Sequence, residues 1–267
     1  MPLSANEYRF GLGKREASLL AVLAEGHKAV FSVEDAKSIA GSDAGEVVRR
    51  LVRKKWVLAL KRGLYAVVPL DVGVRAADAF VVHNFVIASL LVKPYYIGYW
   101  SALNHHGLTE QIPRTTFLAT TKAKHSIEIL NAEYRFVTLT ARKFFGWEEV
   151  QVEGRPITLS DPEKTIADCL DHPEHCGGVE QVARALYFAH QETQVAKVVA
   201  YARRMGNGAI LKRLGFILEA TGLLPRYEQA LARFVPSLGF PSLDPLSPKR
   251  GRHNMRWRLL VNYELDP

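Results

Sequence analysis

The feature that most limits the fold is a run of short, closely punctuated elements between Lys14 and Val68. Lys14–Glu25 sets Leu19, Leu20, Leu23 and Ala24 on one face at helical spacing, and Gly26 ends it. Ser32 then precedes Val33-Glu34-Asp35, a hydroxyl cap followed by acids that face the positive end of the helix dipole. Val33, Ala36, Ile39 and Ala40 form the apolar stripe of this second helix. Gly41 breaks it, and Ser42-Asp43 are expected to cap a third, which buries Ala44, Val47, Val48 and Leu51. Two short helices joined by a tight glycine turn read as a helix-turn-helix. Val57–Leu60 and Leu64–Val68 follow as β-rich runs, separated by Lys61-Arg62-Gly63. That three-residue connection ends in Gly, which suits a left-handed turn position. The whole describes a winged helix-turn-helix over residues 1–70. In such a module the second helix of the pair enters the major groove and the hairpin tip touches backbone or minor groove. The expected contact set is therefore Ser42 and Asp43 at the start of the recognition helix, Arg49, Arg50, Arg53 and Lys54 along it, and Lys61 and Arg62 at the wing tip.

Charge agrees with this reading. Across 267 residues, 35 Lys+Arg against 27 Asp+Glu leave a net +8. Residues 1–70 hold 12 Lys+Arg and 7 Asp+Glu, so most of the excess sits on about a quarter of the chain. Such a surplus suits a polyanionic partner, although a charge run can also be a merely solvated helix face. At 48% hydrophobic and 23% charged the chain has material for a packed core, which excludes wholesale disorder. Two cysteines exclude a disulfide scaffold and suit a reducing compartment. Met1–Phe10 carries Glu7 and Arg9 and has no apolar core of a signal peptide. The longest apolar stretch, Ala76–Val92, contains Asp78, His83 and Asn84 and falls short of a membrane span, so it is expected to be a buried helix. A cytoplasmic protein with no membrane partner is the expectation.

Residues 71–267 are expected to form a larger mixed α+β domain, so that the fold class is α+β overall. Asp71–Arg75 reads as a short linker. Lys93-Pro94 stops the helix before it, Tyr95–Trp100 enters a strand, and Ser101 caps a short helix through His106 that Gly107 closes. Thr116–Thr120, Ser126–Leu130, Tyr134–Leu139, Glu148–Val152 and Arg155–Leu159 are β-rich. Asp161-Pro162-Glu163-Lys164 opens a helix with a cap, Pro at the first position and a first-turn carboxylate. Val179–His190, Val195–Met205, Ala209–Thr221 and Arg226–Phe234 follow as helices. From Pro236 the tail is Pro-rich and basic, and Trp257–Asn262 returns as a final strand. Strands at about 95–160 followed by helices at about 161–235 is the α+β order.

Three blocks carry a resemblance. Tyr95–Pro113, with Tyr99-Trp100-Ser101 and His105-His106-Gly107 inside it, resembles a signature of the AbiEi family, antitoxin-like regulators of abortive-infection (phage-defence) loci. Asp161-Pro162-Glu163-Lys164-Thr165-Ile166-Ala167-Asp168 resembles a second block of that family, and Lys212-Arg213-Leu214-Gly215-Phe216-Ile217-Leu218-Glu219 a third. The resemblance implies an N-terminal DNA-binding domain and a C-terminal antitoxin domain. It also implies autorepression of an operon encoding a nucleotidyltransferase-like toxin, countered without a stable complex. The DNA partner would be the chain's own promoter, at repeated half-sites.

Other chemistry is weaker. His105-His106 with Glu110 suggests a metal or acid–base site, but adjacent helical histidines point about 100° apart, so a structural role is expected. Cys169, His172, His175 and Cys176 are all good zinc ligands, yet four within eight residues lack the two separated pairs of a structural zinc site, and no metal or cofactor is expected. Asp161 and Glu163 are explained by capping. Gly11-Leu12-Gly13-Lys14 is not a phosphate loop: Tyr8 and Arg15 stand where Gly and Ser/Thr are needed. Lys212-Arg213 and the basic stretch Lys249–Arg258 either contact phosphate or RNA, or face solvent. Three functions therefore compete: a DNA-binding regulator and antitoxin, a ligand-sensing transcription factor with Tyr95–Trp100 lining its pocket, and a nucleic-acid enzyme built on His105, His106 and Asp161. No catalytic residue is expected.

Overall fold

The structure is a computed structural model that describes residues 11–68, 82–189, 194–232 and 234–266. By compactness the chain divides into two units, one comprising Met1–Ile87 with the short segments Ile129–Asn131 and Val152–Arg155, the other comprising the rest. The fold class is α+β, with N-terminal helix-turn-helix-like helices followed by a larger sheet-containing part.

The first unit runs α1 (Lys14–Glu25), β1 (Val30–Ser32), α2 (Val33–Ala40), α3 (Ala44–Arg53), β2 (Val57–Lys61), β3 (Leu64–Val67). The strands form an antiparallel sheet in the order β1-β3-β2. This is winged-helix order, and it adds a strand that the sequence did not announce. Three residues are too few for a visible alternation, and β1 is defined only by its pairing of Val30 with Ala66 and Ser32 with Leu64. The core collects Leu19 and Leu23 of α1, Phe31, Ala36, the expected Ala44, Val47, Val48 and Leu51 of α3, and Val57. Ala24, expected on the buried face of α1, is exposed. Ser32 caps α2 as expected. Its hydroxyl accepts from the Asp35 N–H at 3.1 Å, and the Asp35 carboxylate accepts from the Ser32 N–H at 2.8 Å. The wing connection is a residue shorter than expected, because Lys61 pairs with Leu64 and only Arg62 and Gly63 turn the chain. Gly63 takes φ +82, which the missing Cβ permits.

The expected linker Asp71–Arg75 and the first part of the expected helix Ala76–Val92 lie outside the described residues. Within residues 82–92 the helix is confined to α4 (Asn84–Ala88). The stretch is apolar because Val82, Val86, Ile87, Ala88 and Leu91 are each buried, not because one long helix carries them.

Next come β4 (Tyr96–Ile97), α5 (Tyr99–His105), β5 (Thr115–Thr120), β6 (Ile127–Ile129), β7 (Ala132–Thr138), β8 (Trp147–Val152) and β9 (Arg155–Ser160). They make a six-stranded mixed sheet in the order β6-β7-β5-β4-β9-β8, with β5 parallel to β7, and β4 antiparallel to β5 but parallel to β9. Then follow α6 (Pro162–Asp171), α7 (Val179–Ala189), α8 (Val195–Met205), α9 (Gly208–Ala220) and α10 (Leu224–Leu231), and β10 (Arg252–Asn254) pairs with β11 (Leu259–Val261). Helix α6 is the hub, packing on α5, α7, α8 and α9. Glu163 through Asp171 are all buried, so the helix must satisfy its charges internally. Among the described residues no helix is long and apolar enough to cross a membrane.

Candidate functional site

Helix α3 buries Ala44, Val47, Val48 and Leu51, so its 3.6-residue period turns Arg49 and Arg53 outward, one turn apart. Both are exposed, and Arg53 has no ion pair among the described residues. The other two expected contacts sit on a flank of the helix. Lys54 Nζ lies 2.6 Å from the carboxylate of Glu16 in α1, and Arg50 Nε lies 3.3 Å from it. Arg50 also bonds Glu46 at 2.7 Å. Glu16 is 3% exposed. Its hydrogen bond from Lys54 and the Gly13 N–H hold the carboxyl below the usual glutamate range, against the opposing pull of burial. Arg50 and Lys54 thus lock α3 to α1, while Arg49 and Arg53 are presented. Sequence reasoning passed over Glu16; its signal was a carboxylate three residues after a helix-starting Gly13.

Ser42 and Asp43 belong to a 3-10 turn, Gly41–Asp43, that runs directly into α3. Asp43 already has helical dihedrals (φ −85, ψ −3), so the extended cap geometry is missing and neither side chain caps the helix. Ser42 instead bonds the Asp43 carboxylate at 3.3 Å, and that carboxylate pairs with Arg15 of α1. At the wing, Arg62 is exposed and Lys61 half-buried.

The blocks of the larger unit are mostly interior. Strand β4 is only two residues long: Gly98, extended at φ −141 and ψ −165, is the cap of α5, so Tyr99 and Trp100 are helical and Ser101 lies inside the helix rather than at its start. The Ser101 hydroxyl accepts from the Phe117 N–H at 3.0 Å and reaches the Thr115 carbonyl at 3.3 Å, joining α5 to β5. Gly107 closes the helix at φ +68, with the Gly107 and Leu108 N–H groups on the carbonyls of Asn104 and Leu103, a Schellman end. His106 Nε2 lies 2.8 Å from the Ser160 carbonyl; His105 is exposed. The two histidines therefore do not converge on an ion.

Asp161 caps α6, accepting from the Lys164 N–H at 2.7 Å, and also receives the Tyr201 hydroxyl at 2.9 Å. Pro162 is at the first position, as expected. Burial pushes the Glu163 carboxyl up, but Lys197 at 2.8 Å and the Gln194 N–H outweigh it and hold it low. Thr165 bonds Ser160 at 2.7 Å. Lys164, fully buried, pairs with Asp168 and donates to the Tyr96 hydroxyl at 2.8 Å; Tyr96 donates to Asp168 at 2.8 Å.

Lys212 and Arg213 neither face solvent nor stand ready for phosphate. Lys212 donates to the Gly239 carbonyl at 2.8 Å, and Arg213 to those of Leu170, Ser242 and Leu243. Glu219 receives the indole N–H of Trp257 at 2.5 Å. The third block thus anchors the basic tail to α9. Tyr95, Tyr96 and Tyr99 pack into the core, while a cleft of about 300 Å³ lies between residues 107–111 and α7, lined by Gln181, Arg184 and Phe188.

Cys169, within α6, and His172, His175 and Cys176 just after it, weighed above as zinc ligands and set aside, split into two pairs. Cys169 and Cys176 are fully buried, and burial raises both thiols. His172 and His175 come together with Glu174, which the sequence reading did not single out, their ligand atoms all within 4.8 Å. These three are the described residues best disposed to hold a metal.

A three-helix module with a basic exposed helix face and a basic wing is a winged-helix module. Residues 18–68 match the family model described as a transcriptional regulator, AbiEi antitoxin. The fold resembles the crystal structure of the RV2827C protein from Mycobacterium tuberculosis, at TM-score 0.69 and 13% identity over 96% of this chain and 94% of that one. The sequence has no match among curated proteins.

Proposed function

We propose that the protein is a DNA-binding autorepressor and the antitoxin of an abortive-infection operon, acting in the cytoplasm on its own promoter at repeated half-sites. The observation that carries this reading is the exposed Arg49/Arg53 pair on α3, flanked by Arg62 at the wing, within the segment that matches the regulator family, and backed by the buried Glu16 clamp just before it. Arg49 and Arg53 read bases. Ser42, Asp43, Arg50 and Lys54 set the entry of the helix and its approach to phosphate, and Lys61 and Arg62 hold the neighbouring backbone. Residues 1–70 bind the operator. Residues 71–267 carry antitoxicity toward a nucleotidyltransferase-like toxin without a stable complex, the three blocks (Tyr99 to Gly107, Asp161 to Thr165, Lys212 and Arg213) acting as its internal frame.

The test is titration of promoter DNA with the full chain. A good bidentate base contact is worth about 1–3 kcal/mol, so Arg49→Ala with Arg53→Ala should weaken operator binding at least roughly tenfold. Equal binding by the double variant and the parent would mean that α3 is not the reading helix.

A further inference from the structure

We propose that His172, Glu174 and His175 form a binding site for a divalent transition metal of the zinc class. Two imidazoles and a carboxylate are the donor set of three-ligand zinc sites, which leave a fourth position open to water. Here the set sits on a backbone-hydrogen-bonded turn at the end of α6. Helix α6 ends at Asp171, and a 3-10 turn, Pro173–His175, doubles the chain back. Its backbone is tied by His175 N–H to the His172 carbonyl at 3.0 Å, and by the Cys176 and Gly178 N–H groups to the Pro173 carbonyl at 2.9 Å each. The backbone that carries the three ligands is thus tied down before any ion arrives, which reduces the ordering cost of binding.

Ligand spacing agrees. His172 Nδ1 lies 2.9 Å from Glu174 Oε1, and all three donors fall within 4.8 Å of one another. Ligands bound at about 2.0–2.1 Å around a tetrahedral ion stand roughly 3.3 Å apart, so side-chain rotation alone brings the set to coordination distance. Two further observations distinguish this cluster from a plain His–Glu ion pair. Among the described residues, the second oxygen of Glu174 is buried with no hydrogen-bond partner. Behind His172, the Asp171 carboxylate lies 3.5 Å from Nε2 and is itself fixed by Lys143 at 2.5 Å and Asn207 at 2.6 Å. A carboxylate behind a histidine holds the ring orientation; in the metal-free protein Nδ1 shares a proton with Glu174, and that proton is released to solvent when a cation takes its place. The Tyr99 ring, edge-on at 5.3 Å from His175, walls the inner side. Cys169 and Cys176 are not ligands: both are fully buried, and the Cys176 thiol points to the His172 carbonyl at 3.7 Å.

The experiment uses the full chain stripped with chelator, titrated with Zn²⁺ by calorimetry and with Co²⁺ by visible absorption. The expected result is one strong site per chain, a cobalt spectrum without a thiolate charge-transfer band, and a melting temperature that climbs with free zinc. Glu174→Gln and His175→Gln should each weaken zinc at least tenfold and suppress the climb, with the metal-free melting temperature little changed. His253→Gln, remote from the cluster in sequence and strand, should bind as the parent does. Absence of a stoichiometric site, unchanged binding by Glu174→Gln, or a thiolate band lost in Cys169→Ser/Cys176→Ser would each overturn the proposal.

Discussion

Removing the ammonium of Lys164 tests whether the second block is a structural frame. Lys164 and Asp168 are fully buried one helical turn apart, and both contact the Tyr96 hydroxyl. Lys164 also lies 5.1 Å from the centre of the Tyr96 ring and 5.2 Å from that of Phe145. Lys164→Met keeps the stem and deletes the charge, leaving the Asp168 carboxylate with only the Tyr96 hydroxyl of this trio. Breaking a buried pair from one side costs about 3–5 kcal/mol, a large share of a typical stability of roughly 5–15 kcal/mol. Asp168→Asn should cost a similar amount, because the ammonium is then stranded. Replacing both, as Lys164→Met with Asp168→Leu, should recover most of the loss, since a buried pair contributes little beyond a well-packed apolar replacement. The coupling energy across the cycle should then be at least about 2 kcal/mol. Burial already pushes the Asp168 carboxyl upward. In Lys164→Met the folded state therefore favours the protonated acid. A pKa raised on folding gives stability that is present below the unfolded value and lost as pH rises through the folded one, so the defect should be smaller in acid than at neutral pH. Urea unfolding followed by tryptophan fluorescence, to which Trp147 stacked 5.8 Å from Tyr96 contributes, reads the effect, with the m-value as a check on two-state behaviour. Single variants that cost less than about 1 kcal/mol, or a double variant no better than the worse single one, would refute the reasoning.

Arg62→Ala should weaken operator and random DNA alike and lower the salt slope by about one per lost phosphate contact; a loss confined to one sequence would mean that the wing reads bases. Glu16, held low by Lys54 and the Gly13 N–H, contributes stability above the ordinary glutamate range that is lost as pH falls through its folded value. Acid unfolding of the parent followed by circular dichroism should therefore show a step that Glu16→Gln removes. Gly215→Ala would set a Cβ 2.1 Å from the Trp257 ring, so the tail must move, at a cost of about 1–3 kcal/mol in chemical unfolding; a silent substitution would show that the indole is not wedged there.

Where a signal was local, it could be read from the residues. The stripe of α3, the cap at Ser32, the Asp161-Pro162 start of α6 and the Gly107 end of α5 each depend on side chains within one turn of one another, so spacing alone places them. The basic character of α3 and the wing was legible for the same reason, as were the strands that became β5 and β7, with ends off by a residue or two. Strand β1 was not legible, because its three residues are made a strand by a partner more than thirty positions away. The Ser42-Asp43 cap and the start of α5 were misplaced, because a 3-10 turn and an extended Gly98 shifted the boundaries by a residue or more.

By itself, the sequence determined the helices of the N-terminal module, most of the elements after it and the charge they carry, all set by periodicity and by turn chemistry. Only the tertiary structure decided which charges face outward. Arg49 and Arg50 are neighbours in the chain, yet one is exposed and the other is tied to Glu16, because α1 packs along one flank of α3. Lys212 and Arg213 are as basic as any surface pair, yet carbonyls of the tail enclose them. Glu174 joins two histidines only because a turn folds back on the end of α6. Burial and pairing depend on what arrives from distant parts of the chain, and no local pattern encodes that arrival.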